Sequence, residues 1–182
     1  MIDNLEFANQ ANSEKYTGVP YSKLDCQAFV EKVLSDCGVK KSDGTPYNWK
    51  GSNSMWRSAL SWKGTVAECI KRFGCIPLGA WVFIVRQDGG EKERGYNDAE
   101  GNAKHVGIYC STGPEPVRDS TTNNRDRSGV GYRSIKDFTH VGLPYMIDFN
   151  NIIIPEPIPE NNDRQKALEA LETIRQYIMK GE

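Results

Sequence analysis

Cys26 is the residue best placed to do chemistry. It follows Asp25 and opens the run Cys-Gln-Ala-Phe-Val-Glu-Lys-Val-Leu-Ser-Asp-Cys over 26–37. Cys26, Phe29, Val30, Val33, Leu34 and Cys37 recur at helical spacing, so the run predicts a helix with its start at the sulfur. Ser22 and Asp25 are both candidate N-caps, and Gly38 is a plausible stop. A thiol in a first helical turn meets unpaired backbone N–H groups and the positive end of the helix dipole. Both favour the thiolate, the form that attacks carbonyl carbon. The competing reading is packing, because Cys26 also lies on the apolar face and free cysteine commonly behaves as a small buried hydrophobe. Cys37, Cys69, Cys75 and Cys110 lack such a setting and read as packing residues.

A thiol nucleophile needs a base. The chain has two histidines, at 105 and 140. His105 opens the apolar run His-Val-Gly-Ile-Tyr-Cys over 105–110, where an imidazole can project over the end of a sheet. A third group should fix the ring's tautomer. Asp119, in Val117-Arg118-Asp119-Ser120, lies on the next predicted strand, and a hairpin of 105–110 with 116–120 brings it near His105. A surface turn, or an ion pair with Arg118, is the plainer account of Asp119. His140 has no thiol or carboxylate placed by strand order to meet it.

These residues need a frame. At 182 residues and 20.4 kDa, with 38% hydrophobic and 26% charged residues, the chain suits one domain with a short appendage. Residues 3–15 predict a weak helix, and 53–61 and 66–73 predict two short ones. Residues 38–64 read as a long connection in which Trp49, Trp56 and Trp62 pack the loop rather than line a ligand wall. Strands are predicted at 79–85, 105–110 and 116–121, with 140–143 and 146–149 closing the sheet. Helices first and then an antiparallel meander is an α+β layout. Residues 151–162 read as a Pro-rich extended linker. Residues 163–182 read as an amphipathic helix with Leu168, Leu171, Ile174 and Ile178 in its stripe. Docking of that helix on the domain and self-association through it both stay open.

Composition excludes several classes. Twenty-three Lys and Arg against 24 Asp and Glu give a formal charge of −1, which provides no broad field for nucleic acid or anionic lipid. No apolar run approaches the ~20 residues of a membrane span. The first residues lack a secretory pattern, so the expectation is a protein made in the cytoplasm. Five cysteines at irregular gaps do not form a disulfide framework. No metal site and no cofactor are expected. Arg118, Arg125, Arg127 and Arg133 read as solvated surface diluted by Asp119, Asp126 and Asp137.

The series Pro20-Tyr21, Leu24-Asp25-Cys26-Gln27-Ala28-Phe29-Val30, Gly79-Ala80-Trp81-Val82-Phe83 and His105-Val106-Gly107-Ile108-Tyr109 resembles the NlpC-type cell-wall peptidases, and most closely their short prophage forms. The resemblance covers roughly 3–150 and implies a papain-like fold with Cys26 as nucleophile and His105 as base. The family's third position, often His, falls on Asp119. A Tyr upstream of the Cys lines the site in many relatives; Tyr21 matches it, and Tyr16 is a second candidate because the usual Gly-rich spacer is short here. Asp25 joins them as a substrate-side residue. Gln27-Ala28 replaces the common Ser-Gly, and Ala80 replaces a frequent Asp. The implied activity is a cysteine endopeptidase on peptidoglycan stem peptides, cutting between γ-linked D-glutamate and a diamino acid, and acting at the bacterial wall, reached with a phage particle or through a pore. An amidase or acyltransferase of the same superfamily, and a non-catalytic wall-binding or phage structural module, are the alternatives.

Overall fold

The computed structural model describes residues 1–124 and 127–150. The expected linker at 151–162 and helix at 163–182 lie outside the described residues. Asp3 caps the first helix, α1 (Asn4–Ala11), by accepting from Leu5 and Glu6 backbone N–H groups. The second helix, α2 (Cys26–Asp36), starts where the apolar period starts. Of the two candidate caps Asp25 is the one used, its carboxylate accepting from the Ala28 N–H at 2.8 Å. Phe29, Val30, Val33 and Leu34 are buried along one stripe of α2. Truncating a fully enclosed ring such as Phe29 to Ala costs about 3–5 kcal/mol, a large share of the ~5–15 kcal/mol that holds a domain together. Two shorter helices follow: α3 (Ser52–Ser58), near the expected 53–61, and α4 (Val66–Phe73), as expected. The latter is fixed by a reciprocal Thr65/Glu68 capping box.

The strands are β1 (Ile2–Asp3), β2 (Leu60–Thr65), β3 (Trp81–Arg86), β4 (Asn102–Tyr109), β5 (Val117–Asn124), β6 (Arg127–Arg133), β7 (His140–Pro144) and β8 (Ile147–Asp148). Six of them form an antiparallel sheet in the order β2-β7-β3-β4-β5-β6, while β1 and β8 pair in parallel apart from it. The architecture is α+β, with the N-terminal helices joined to this six-stranded sheet.

Three expectations are corrected. Residues 60–65 are a strand rather than part of a loop, because Leu60 to Thr65 find a partner in β7. Residues 127–133 also form a strand, although two glycines in Arg-Ser-Gly-Val-Gly-Tyr-Arg hide its alternation. Finally, β7 does not close the sheet at an edge; it inserts between β2 and β3, so only β3 to β6 form a meander. The expected 146–149 strand is the short β8, which pairs with β1.

The sheet is covered on both faces. Trp81, Phe83, Val106 and Ile108 join Phe7, Phe29, Val33, Met55 and Trp56 in the larger core. Val82, Val117, Val141 and Leu143 join Cys69 and Phe138 in a second, smaller one. Burial on both sides explains why residues 81–85 read as an unbroken apolar run instead of alternating. The tryptophans pack the connection, as expected. Trp49 stacks on Tyr47 with centroids 5.0 Å apart and stands edge-on to Trp81. Trp56 meets Phe83 and His140, and Trp62 meets Phe73. His140 is held in this packing, with Nδ1 2.8 Å from the Thr139 hydroxyl. Among the described residues no helix is long and apolar enough to cross a membrane, and no three His, Cys, Asp or Glu side chains cluster to hold a metal.

Candidate active site

Cys26 is the first residue of α2, so its N–H has no intrahelical partner. The turn before it is anchored to the sheet, because the Ser120 hydroxyl donates to the Leu24 carbonyl. A second anchor lies upstream. Val130 donates to the Val19 carbonyl from β6, and a Cβ on Gly129 would stand 2.1 Å from that same oxygen. With φ at +116° as well, that position excludes every side chain. The Cys-bearing segment is therefore anchored to β5 and β6, which carry Asp119 and Arg133, while His105 lies on β4.

Strand register builds that rest. Asp119 lies opposite Gly107 on β4 and opposite Gly131 on β6. His105 is two residues from Gly107, and Arg133 two residues from Gly131, so both share a face with Asp119. The fully buried carboxylate takes both: its Oδ2 lies 2.6 Å from His105 Nε2 and 3.0 Å from an Arg133 guanidinium nitrogen. Arg133 also reaches Asp137 at 3.1 Å and lies over the Phe138 ring, which in turn faces His105 at 6.0 Å. With Nε2 turned to Asp119, the ring's Nδ1 is left on the side of the neighbouring Cys26 thiol.

The electrostatics follow from these contacts. Burial opposes a charged His105 ring, but the hydrogen bond to Asp119 and then the neighbouring Cys26 thiol outweigh it and lift the imidazole to about 9. The ring is a cation at neutral pH, placed as a base beside the Cys26 sulfur. Burial first, then the neighbouring Cys26 and Asp25, push the Tyr21 phenol up to about 12. Burial raises Cys37 to about 11 and Cys69 and Cys110 to about 12, and it raises Cys75 as well. All five cysteines are free thiols.

Two clefts meet at this pair. One, of about 550 Å³, is lined by Tyr21, Asp25, Cys26 and Gln27, with Ser52, Asn53, Asn102 and Ala103 across from them. Its far wall is rigid: Ser52 donates to the Ala103 carbonyl at 2.5 Å, and Asn53 to Asn102 at 2.8 Å. The other, of about 430 Å³, is lined by Tyr21, Arg86, Lys104, His105 and Arg133 among others.

The structure thus brings together Cys26, His105, Asp119, Tyr21 and Asp25. It separates Tyr16 from them. That residue is buried against Phe29, its hydroxyl donating to Asp36 at 2.6 Å, and it lines a groove with Lys15 and Lys32 instead. Tyr16 lies on the 3₁₀ turn that packs beside the far end of α2, which is why it cannot also reach Cys26. The arginines are corrected too. Arg118 is fully buried, donating to Thr17 at 2.6 Å and Tyr132 at 3.2 Å, and Asp119 pairs with Arg133 rather than with its neighbour Arg118. Adjacent strand residues point to opposite faces, so the 118–119 pair was never available. Arg125 and the side chain of Arg127 lie outside the described residues. The one residue of the constellation not anticipated is Arg133; its signal was the two-residue step from Gly131, visible only once β6 is a strand. Comparison with protein-family models, curated proteins and solved structures gives no match for this chain.

Proposed function

We propose that the protein is a cysteine peptidase of papain-like, NlpC-type design, acting on peptidoglycan stem peptides. The observation that carries this reading is the 2.6 Å contact between His105 Nε2 and the buried Asp119 carboxylate, with the Cys26 thiol at the start of α2 as the ring's other neighbour. The substrate class rests on the resemblance of residues 20–30, 79–83 and 105–109 to that family, and a cleft of about 550 Å³ beside Cys26 leaves room for a ligand.

The residues allow a balanced acyl transfer. The Cys26 sulfur bonds to the amide carbon, and the developing oxyanion meets the unpaired Cys26 N–H at the helix start. His105 then gives its proton to the departing amine as the C–N bond breaks. Water, deprotonated by the now neutral ring, attacks the thioester and releases Cys26. Asp119 holds one tautomer and orientation throughout and stays ionised. Tyr21 lines the same cleft as the sulfur, as a neutral phenol.

Digestion of purified sacculi by the wild type beside Cys26→Ala, with products read by mass spectrometry, tests the reading. Fragments ending at γ-linked D-glutamate from the wild type alone support it. Equal product from the two proteins removes it.

A further inference from the structure

The two clefts at the active site differ in charge. The Cys26 side carries Asp25, Asp88 and Glu93 among its lining residues, against Arg94 and Lys104. On the His105 side the charged lining beside His105 is Arg86, Lys104 and Arg133, with no carboxylate among the described residues. Two of those three cations are already neutralised. Lys104 pairs with Asp88 at 3.0 Å, and Arg133 with Asp119 and Asp137. Arg86, the last residue of β3, has no carboxylate partner among the described residues, and it is exposed at the cleft wall. Its neighbours there include the Thr121 and Thr122 positions, which add hydroxyl groups but no negative charge.

Chemistry gives the clefts a direction. The carbonyl carbon must sit at Cys26, and the departing nitrogen must lie within reach of the His105 proton. The half of the substrate released as an amine therefore extends past His105, into the cleft that holds the surplus positive charge. We propose that this cleft is the leaving-group subsite and that Arg86 binds a carboxylate on the amine released there. The substrates favoured are peptides whose residue after the cut bond is a free acid rather than an amide. This rests on the peptidase reading above and adds to it the side, the charge and the residue that set selectivity. A guanidinium presents two parallel N–H donors to a carboxylate, which an ammonium cannot reproduce.

The test uses two γ-D-glutamyl-diamino acid peptides that differ only in whether the diamino acid's α-carboxylate is free or amidated. The quantity read is the ratio of their kcat/KM values. For the wild type the free acid is favoured by roughly tenfold or more, the worth of one charge-assisted hydrogen bond. In Arg86→Gln the ratio falls to within about twofold of one, and in Arg86→Lys it lies between. A wild-type ratio near one, or an unchanged ratio in Arg86→Gln, overturns the proposal. If the wild type cuts neither peptide, the peptidase reading fails instead, and the subsite is read directly. The free diamino acid is then titrated into Cys26→Ala protein with and without Arg86→Gln. Binding lost with Arg86 supports the subsite; equal binding, or none to either protein, overturns it.

Discussion

His105 and Arg133 hold the same oxygen, Oδ2 of Asp119, from neighbouring strands on either side of it. The carboxylate is thus shared between a ring that must cycle its proton and a cation that never gives one up. Replacing Asp119 by Asn keeps the shape and removes the charge. Turnover falls by about a hundredfold or more, because the ring loses the partner that fixes its tautomer. The alkaline limb of the activity profile moves below its wild-type position, since the Asp119 contact is the largest influence raising His105. An unmoved limb with reduced turnover would mean that Asp119 acts on fold alone.

The raised imidazole also ties stability to pH. His105 goes from an ordinary 6.5 to about 9 in the folded chain, so folding takes up protons in between. Its stabilising contribution is complete below about 6.5 and is lost as pH rises through about 9. Urea midpoints should fall across that window for the wild type and fall less for Asp119→Asn. Parallel slopes for the two proteins would contradict this.

Gly107 tests the geometry from the other strand. A Cβ there would stand 2.8 Å from Val117 Cγ1 and 3.1 Å from Asp119 Cβ. Gly107→Ala therefore forces β4 and β5 apart where His105 meets Asp119, at a cost of about 1–3 kcal/mol. Thermal melts should show that loss, and activity measured well below the new midpoint should drop as well. Wild-type activity in this variant would show that the carboxylate reaches the ring by another route.

Cysteine labelling separates the nucleophile from the packing thiols. At pH 7 iodoacetamide should mark Cys26 first, with Cys69 and Cys110 unmarked because burial holds both at about 12. Peptide mapping reads the site. His105→Ala should slow the Cys26 reaction by about tenfold or more, since the neighbouring cation is gone. An equal rate at several cysteines would leave Cys26 an ordinary core residue.

Tyr16 and Tyr21 should part company under the same substitution. Tyr16→Phe removes a hydroxyl bonded to Asp36, costing about 1 kcal/mol of stability, while activity stays within about twofold because no cleft atom moves. Tyr21→Phe removes the phenol at the sulfur and alters kcat. The reverse pattern would place the substrate in the groove beside Lys15 and Lys32.

Much of this site could be read before any coordinates. The helix at Cys26 shows itself through period and cap, and the hairpin that brings Asp119 to His105 needs only two short strands and the loop between them. What escaped depends on partners distant in the chain. Leu60–Thr65 carries Lys63 and Gly64 and alternates poorly; it is a strand because β7, some eighty residues on, lies beside it. Gly129 and Gly131 make β6 look like a loop, although Gly129 is there to let the Val19 carbonyl pass close. Arg133 inherits its role from that strand, so missing one meant misplacing the other. Tyr16 and Tyr21 lie only five residues apart, and what separates them is that Tyr16 packs beside the far end of α2 while Tyr21 stands at its start.

The insertion of β7 between β2 and β3 has a kinetic side. A growing chain can form the β3–β6 ribbon from contacts made soon after synthesis, but β2 must wait for residues 140–144 before it has a neighbour. Until then two bare edges and the apolar residues around Val82 stand open, a template for pairing with other copies. Slow maturation follows from such distant pairing. A nascent polypeptide halted before His140 would be the species that chaperones have to guard.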